Sequence, residues 1–184
     1  IAKKTLNGRL GILGGISILG TRGVVVPFST SAYKASVVQA ISVAQAMNCE
    51  EIVLTTGGSS EKYAMQMYDQ LTEEAFIQMG DFVGFAVKHG KRLGMKKIIL
   101  VGMPGKLSKV AQGVMMVHSK SAPVDFGFLA RVAREAGVDE SLAAAVAEAN
   151  TATQVADMMT EANVLSFFEK LCTYGCQHCL EHAG

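Results

Sequence analysis

Residues 97–106 read Lys97-Ile98-Ile99-Leu100-Val101-Gly102-Met103-Pro104-Gly105-Lys106. After the lysine, four aliphatic residues follow without polar alternation, and three of them are β-branched. That describes a strand covered on both faces. The Gly-Met-Pro-Gly punctuation reads as a loop, and a helix is expected from Lys106 to about Met116. Strands buried on both faces belong to parallel sheets, because crossover helices lie on both sides.

The same unit recurs upstream. Glu51-Ile52-Val53-Leu54-Thr55 reads as a buried parallel strand, and Thr56-Gly57-Gly58-Ser59-Ser60 as a glycine loop that supplies N-caps. A helix is expected over Glu61–Leu71. Ala75–Met79 reads as a short strand, and Gly80-Asp81 caps a helix from Phe82 to about Leu93 that stops at Gly94. Before these, Ser29, Thr30 and Ser31 are candidate caps for a helix over Ala32–Met47, closed by Asn48. Its apolar face is Val37, Val38, Ile41, Val43 and Ala44. The alternation predicts an α/β fold: a Rossmann-like open parallel sheet with helices on both faces. Strand order is left open.

From Asp125 onward strand signals stop. Phe126–Ala136, Glu140–Ala149, Thr151–Met159 and Asn163–Leu180 read as helices. The expected organisation is a Rossmann-like core over residues 1–120 and a helical extension over 121–184 packed on it, one domain overall.

The densest glycine segment lies near the start: Leu10-Gly11-Ile12-Leu13-Gly14-Gly15-Ile16-Ser17-Ile18-Leu19-Gly20-Thr21-Arg22-Gly23. Leu10–Leu13 reads as a strand, Ile16–Leu19 as a second apolar run, and Val24–Val26 as a β-branched run stopped by Pro27. The segment matches neither a dinucleotide fingerprint nor a P-loop. Two readings stay open: tight turns, or backbone that a ligand approaches closely. Gly14, Gly15, Ser17 and Thr21, with Thr56, Gly57 and Gly58 and with Gly102 and Gly105, are the candidate cofactor contacts. Loops at the carboxyl ends of parallel strands converge where such sheets bind ligands. Lys106 and Lys109 share a helix face, and His118 lies just beyond.

Composition narrows the classes. The chain has 184 residues, 49% hydrophobic and 18% charged, with a formal net charge of +1. It therefore offers no electrostatic argument for nucleic acid or an anionic membrane. No apolar run approaches the ~20 residues of a membrane helix. Ile1 opens the chain without an initiator Met or signal pattern, so it is expected to be the later part of a longer protein. Four cysteines, three of them in the tail, do not form a disulfide framework, which favours a reducing, cytoplasmic setting. A homo-oligomer is compatible with the sequence.

The tail holds Cys172, Cys176 and Cys179, the C-x3-C-x2-C spacing of radical iron–sulfur enzymes. Here the motif continues an expected helix, which puts the three thiols on one face with His182 following at i+3. Zinc or cluster binding is one reading, and plain helical thiols the other.

These residues resemble one family, the cobalt-precorrin-5B C1-methyltransferases (CbiD) of anaerobic cobalamin biosynthesis. The resemblance rests on Ala2 to Gly23, on Leu54-Thr55-Thr56-Gly57-Gly58 with Glu61, on Phe82-Val83-Gly84, and on Gly102 to Gly113 ending near His118-Ser119. It covers about residues 1–120. It implies methyl transfer from S-adenosylmethionine to C1 of cobalt-precorrin-5B, a cobalt-bound tetrapyrrole, giving cobalt-precorrin-6A. It also implies a two-part protein whose α+β N-terminal part is absent here. Arg22, Lys106, Lys109 and His118 are then the candidate substrate contacts, the cations facing peripheral carboxylates. Met103-Pro104 departs from the His-Ile pair expected of the family, and no catalytic acid or base is implied. Outside this family, the glycine loops fit a non-catalytic tetrapyrrole- or nucleotide-binding module, and the tail fits a metal or iron–sulfur protein.

Overall fold

The computed structural model describes residues 12–14, 29–118 and 122–184. The chain forms two compact units, Ile1–Gly80 with Phe85–Val101 and Asp81–Gly84 with Gly102–Gly184.

In the first unit, helix α1 (Thr30–Ala46) begins at Ser29, whose Oγ accepts from the Ala32 N–H at 3.2 Å. It is followed by a left-handed Asn48 (φ 59°). Both caps follow the expectation, because capping is decided within one turn of chain. Strand β1 (Glu51–Thr55) leads to helix α2 (Gly58–Met67), strand β2 (Phe76–Gln78), helix α3 (Val83–Arg92) and strand β3 (Lys97–Val101). The strands are parallel in the order β2-β1-β3. Thr55 pairs with Gln78 on one side and Val101 on the other, so all three strands end in register at one edge.

Helices cover both faces. Val53, Phe76, Ile99 and Val101 point to one side, where Ala64 and Met65 of α2 and Tyr68 just after it cover them. On the other side a Cβ added at Gly90 of α3 would come within 2.8 Å of Ile98 and 3.3 Å of Ile52. Gly90 thus lets α3 lie close on the sheet. α1 runs beside α3: Gln45 Nε2 donates to Leu93 O at 2.7 Å, and the Lys34 ammonium sits 5.2 Å from the Phe85 ring centre. The order explains the two faces. The chain steps from β1 to β2 in one direction and from β2 past β1 to β3 in the other. Right-handed crossovers in opposite directions lie on opposite faces.

Helices α1, α2 and α4 (Pro104–Ala111) each begin two or three residues earlier than expected, and α4 ends at Ala111, before the expected Met116. α2 starts at Gly58 because Ser60 is drawn inside the first turn: its Oγ donates to Gly57 O at 2.8 Å and accepts from Thr56 N at 3.1 Å. Helix α4 takes Pro104 as its first residue. Proline's fixed φ suits that position, and its missing N–H is not needed there. Gly105 is therefore helical, not part of a loop. Ile12 and Leu13, expected at the end of a buried strand, lie in irregular backbone, with Leu13 84% exposed. The remainder of the Leu10–Leu13 strand, the Ile16–Leu19 run and Val24–Val26 lie outside the described residues.

The second unit is helical among its described residues: α4, α5 (Phe126–Glu135), α6 (Glu140–Ala147), α7 (Ala152–Glu161) and α8 (Leu165–Ala183). Asp125, Asp139 and Thr151 cap α5, α6 and α7 through their side-chain oxygens. The core gathers Ala111, Leu129, Val132, Val146, Val155, Met159, Phe167 and Leu171.

Candidate functional site

Within the first unit, Thr56, Gly57 and Gly58 follow β1 at the carboxyl edge of the sheet. The order β2-β1-β3 places the switch in the direction of strand addition between β1 and β3, the position at which open α/β sheets bind ligands. Gly57 leaves β1 with φ 155° and ψ 178°, a region that only glycine occupies readily. Among the described residues, no atom lies within 4 Å of a Cβ added at Gly57 or Gly58. α2 has no side-chain cap at its N-terminus, although Gly57 O already accepts from Glu61 N at 3.0 Å. Thr56 is buried, and its Oγ1 lies 3.3 Å from Ser60 Oγ. A partly open loop with N–H groups at a helix start suits a carboxylate or polar ligand.

Two residues of this edge escaped the sequence reading as a pair. Glu61, in the first turn of α2, is 7% exposed, and Gln78 Nε2 donates to its Oε2 at 2.7 Å. The one signal was Gln78, a polar residue closing an apolar strand.

In the second unit, Lys106 Nζ lies 3.1 Å from Asp81 Oδ1, and the lysine side chain remains 37% exposed. Lys109 is 7% exposed, and its ammonium faces the carbonyls of Val117 at 3.5 Å and His118 at 3.3 Å. His118 itself is exposed. Gly102, Pro104, Leu107 and Ser108 form one wall of an apolar cleft of about 170 Å³, closed by α7 and by Phe167, Phe168, Leu171 and Cys172 of α8. Ser108 Oγ donates to Pro104 O at 2.7 Å, leaving the cleft almost without free polar groups.

The tail is helical, as expected, but His182 does not share the cysteine face. A Cβ at Gly84 would meet the His182 ring at 2.5 Å, one at Gly113 the His178 ring at 3.5 Å, and one at Gly175 Val110 at 3.7 Å. The packing stripe of α8 is therefore Leu171, Gly175, His178 and His182. At 100° per residue the cysteines lie about 90° away from it. Among the described residues no group of three or more His, Cys, Asp or Glu side chains is placed to hold a metal. Burial, and then the neighbouring Cys176, raises the Cys172 thiol and pushes Cys179 up to about 11. Fewer thiolates, offset in part by their greater nucleophilicity, make Cys179 react roughly tenfold more slowly with iodoacetamide at pH 8 than after unfolding in urea. Peptide mass spectrometry of the two samples measures the ratio.

Gly14 carries φ 69°. Gly15, Ser17, Thr21 and Arg22 lie outside the described residues. No helix among the described residues is long and apolar enough to cross a membrane.

Comparison with known proteins supports the resemblance. The CbiD family model matches residues 1–27, and the CbiD C-terminal domain model matches residues 116–184. The chain is 67% identical over its 184 residues to a cobalt-precorrin-5B C(1)-methyltransferase of Priestia megaterium. It is 68% identical to the protein of that name from Geobacillus thermodenitrificans and 47% identical to that of Leptospira interrogans, again over 184 residues. In each case all of this chain is matched, and it spans about half the length (50%) of the relative. No solved structure matches. The two CbiD models match residues 1–27 and 116–184, together about half of the chain, and the relatives match all of it: the chain belongs to the CbiD family.

Proposed function

We propose that the chain is the C-terminal half of an S-adenosylmethionine-dependent methyltransferase that methylates C1 of cobalt-precorrin-5B. The observation that carries this reading is the 67–68% identity, along the whole chain, to relatives bearing that enzyme's name. The match of residues 116–184 to the family's C-terminal domain supports the assignment to the second half.

The residues present fit the methyl donor at the edge of the first unit. Among the described residues nothing crowds the backbone at Gly57 and Gly58, which favours close approach, and the first turn of α2 suits the donor's carboxylate. S-adenosylmethionine, when bound, supplies a methyl group already activated on a sulfonium. The protein therefore has to align donor and acceptor and exclude water more than to move protons. This agrees with an edge whose described residues are glycines, threonines and one Gln–Glu pair. Lys106, partly exposed beside Asp81, is our candidate to meet a peripheral carboxylate of the tetrapyrrole. Arg22 and His118 remain candidates for the same task. Lys109 serves the fold first, by holding the backbone of Val117 and His118.

The test is turnover by the full-length protein with cobalt-precorrin-5B and methyl-labelled S-adenosylmethionine. One label at C1 of the product is expected. An unlabelled tetrapyrrole after prolonged incubation, with the protein folded, overturns the proposal.

A further inference from the structure

The carboxyl edge contains a buried polar pair that methyl transfer itself does not require. Glu61 is 7% exposed, and its Oε2 accepts from Gln78 Nε2 at 2.7 Å. A carboxylate only accepts hydrogen bonds, so the amide of Gln78 must turn its nitrogen toward Glu61. The carbonyl oxygen Oε1 is then fixed on the other side. Among the described residues, Gln78 Oε1 has no hydrogen-bond partner, and the residue is only half-buried.

The backbone beneath is held firmly. Gln78 O accepts from the Tyr33 hydroxyl at 3.2 Å, and Met79 N donates to Thr55 O at 2.9 Å. Gln78 is in register with Thr55, the last residue of β1. The Gln78 backbone therefore stands one strand spacing, about 4.8 Å, from the strand that leads into Thr56-Gly57-Gly58. An apolar pair would join α2 to β2 without desolvating a carboxylate. What the polar pair adds is an acceptor of fixed direction at the ligand edge.

We propose that Gln78 is a specificity-determining contact for a ribose hydroxyl of a nucleoside-bearing ligand at this edge, with Glu61 as its positioning residue. The proposal rests on the reading of the edge as the methyl-donor site. A ribose hydroxyl donates, Gln78 Oε1 accepts, and a nucleoside lying over Gly57 brings its sugar to the neighbouring strand end.

The experiment is calorimetric titration of the full-length protein with S-adenosylhomocysteine and with its 2′-deoxy and 3′-deoxy ribose analogues. The wild type is expected to bind one deoxy analogue about tenfold more weakly than the parent, the effect of one neutral hydrogen bond. Gln78→Met, of similar volume, should bind the parent about tenfold more weakly and lose that discrimination; a merely structural Gln78 would weaken all three ligands alike. Glu61→Gln, whose side-chain carbonyl still accepts from the amide, should keep part of the discrimination and provides a second reading if Gln78→Met melts early. Discrimination unchanged in both variants overturns the proposal. So does a wild type that binds parent and analogues equally, which leaves the donor site standing. A wild type that binds none of them overturns the donor site as well.

Discussion

Phe167→Ala is expected to destabilise the helical unit by about 3–5 kcal/mol. Phe167 is 2% exposed, in a cluster with Leu129, Val132, Val155, Met159 and Leu171. Its ring meets Phe168 edge-on, with centroids 5.4 Å apart at 83°. Truncation removes the burial of a large apolar side chain and leaves a void that its neighbours fill only in part. The same ring lines the cleft of about 170 Å³, so the void would open into that cleft. The cleft walls are apolar and offer water few partners, so water entry does not compensate for the lost contacts. Urea denaturation measures the effect, with Leu165→Ala as comparison because Leu165 is 62% exposed and outside the core. A loss below about 1 kcal/mol for Phe167→Ala would contradict the packing described here.

Gly57→Val is expected to abolish measurable S-adenosylhomocysteine binding and to destabilise the first unit by about 1–3 kcal/mol. The two effects have separate causes. The backbone at Gly57 has φ 155° and ψ 178°, so a β-branched residue must distort the turn between β1 and α2. Among the described residues no atom lies beside Gly57, so the new side chain is expected to fill the approach a ligand would use. Gly58→Ala separates them: Gly58 is helical, is equally uncrowded by the described residues and has no positive φ, and alanine should leave stability nearly unchanged. Unchanged affinity in a folded Gly57→Val protein would remove this loop from the donor site.

The glycine segment at 10–23 carries most of the family resemblance, yet the described site rests on the later loop at Thr56–Ser60. Both loops were legible as glycine-rich interruptions of apolar runs. The state of their backbone was not. Ile12 and Leu13 have the composition of a buried strand but lie exposed and irregular. A short apolar run specifies burial only when a neighbouring strand or helix covers it. The cysteine tail shows a similar limit. Its spacing was read correctly as helical. The placement of His178 and His182 against Gly113 and Gly84 depends on which side of α8 faces its neighbours.

What the sequence by itself determined was local. β1 and β3 fall on the residues expected, because an aliphatic run between glycine loops has few alternatives to a strand; burial on both faces holds for β1, whereas β3, at the edge of the described sheet, is half-buried. Ser29, Asp139 and Thr151 begin helices because a cap is completed by N–H groups two or three residues away. Tertiary structure alone decided the order β2-β1-β3, which brings Gln78 beside Thr55. It also decided which polar groups are already engaged: Glu61 with Gln78, 17 residues apart, and Lys109 with the carbonyls of Val117 and His118. Propensity and capping act within a turn of chain. The availability of a charge for a ligand depends on partners that only the folded chain brings within hydrogen-bonding distance.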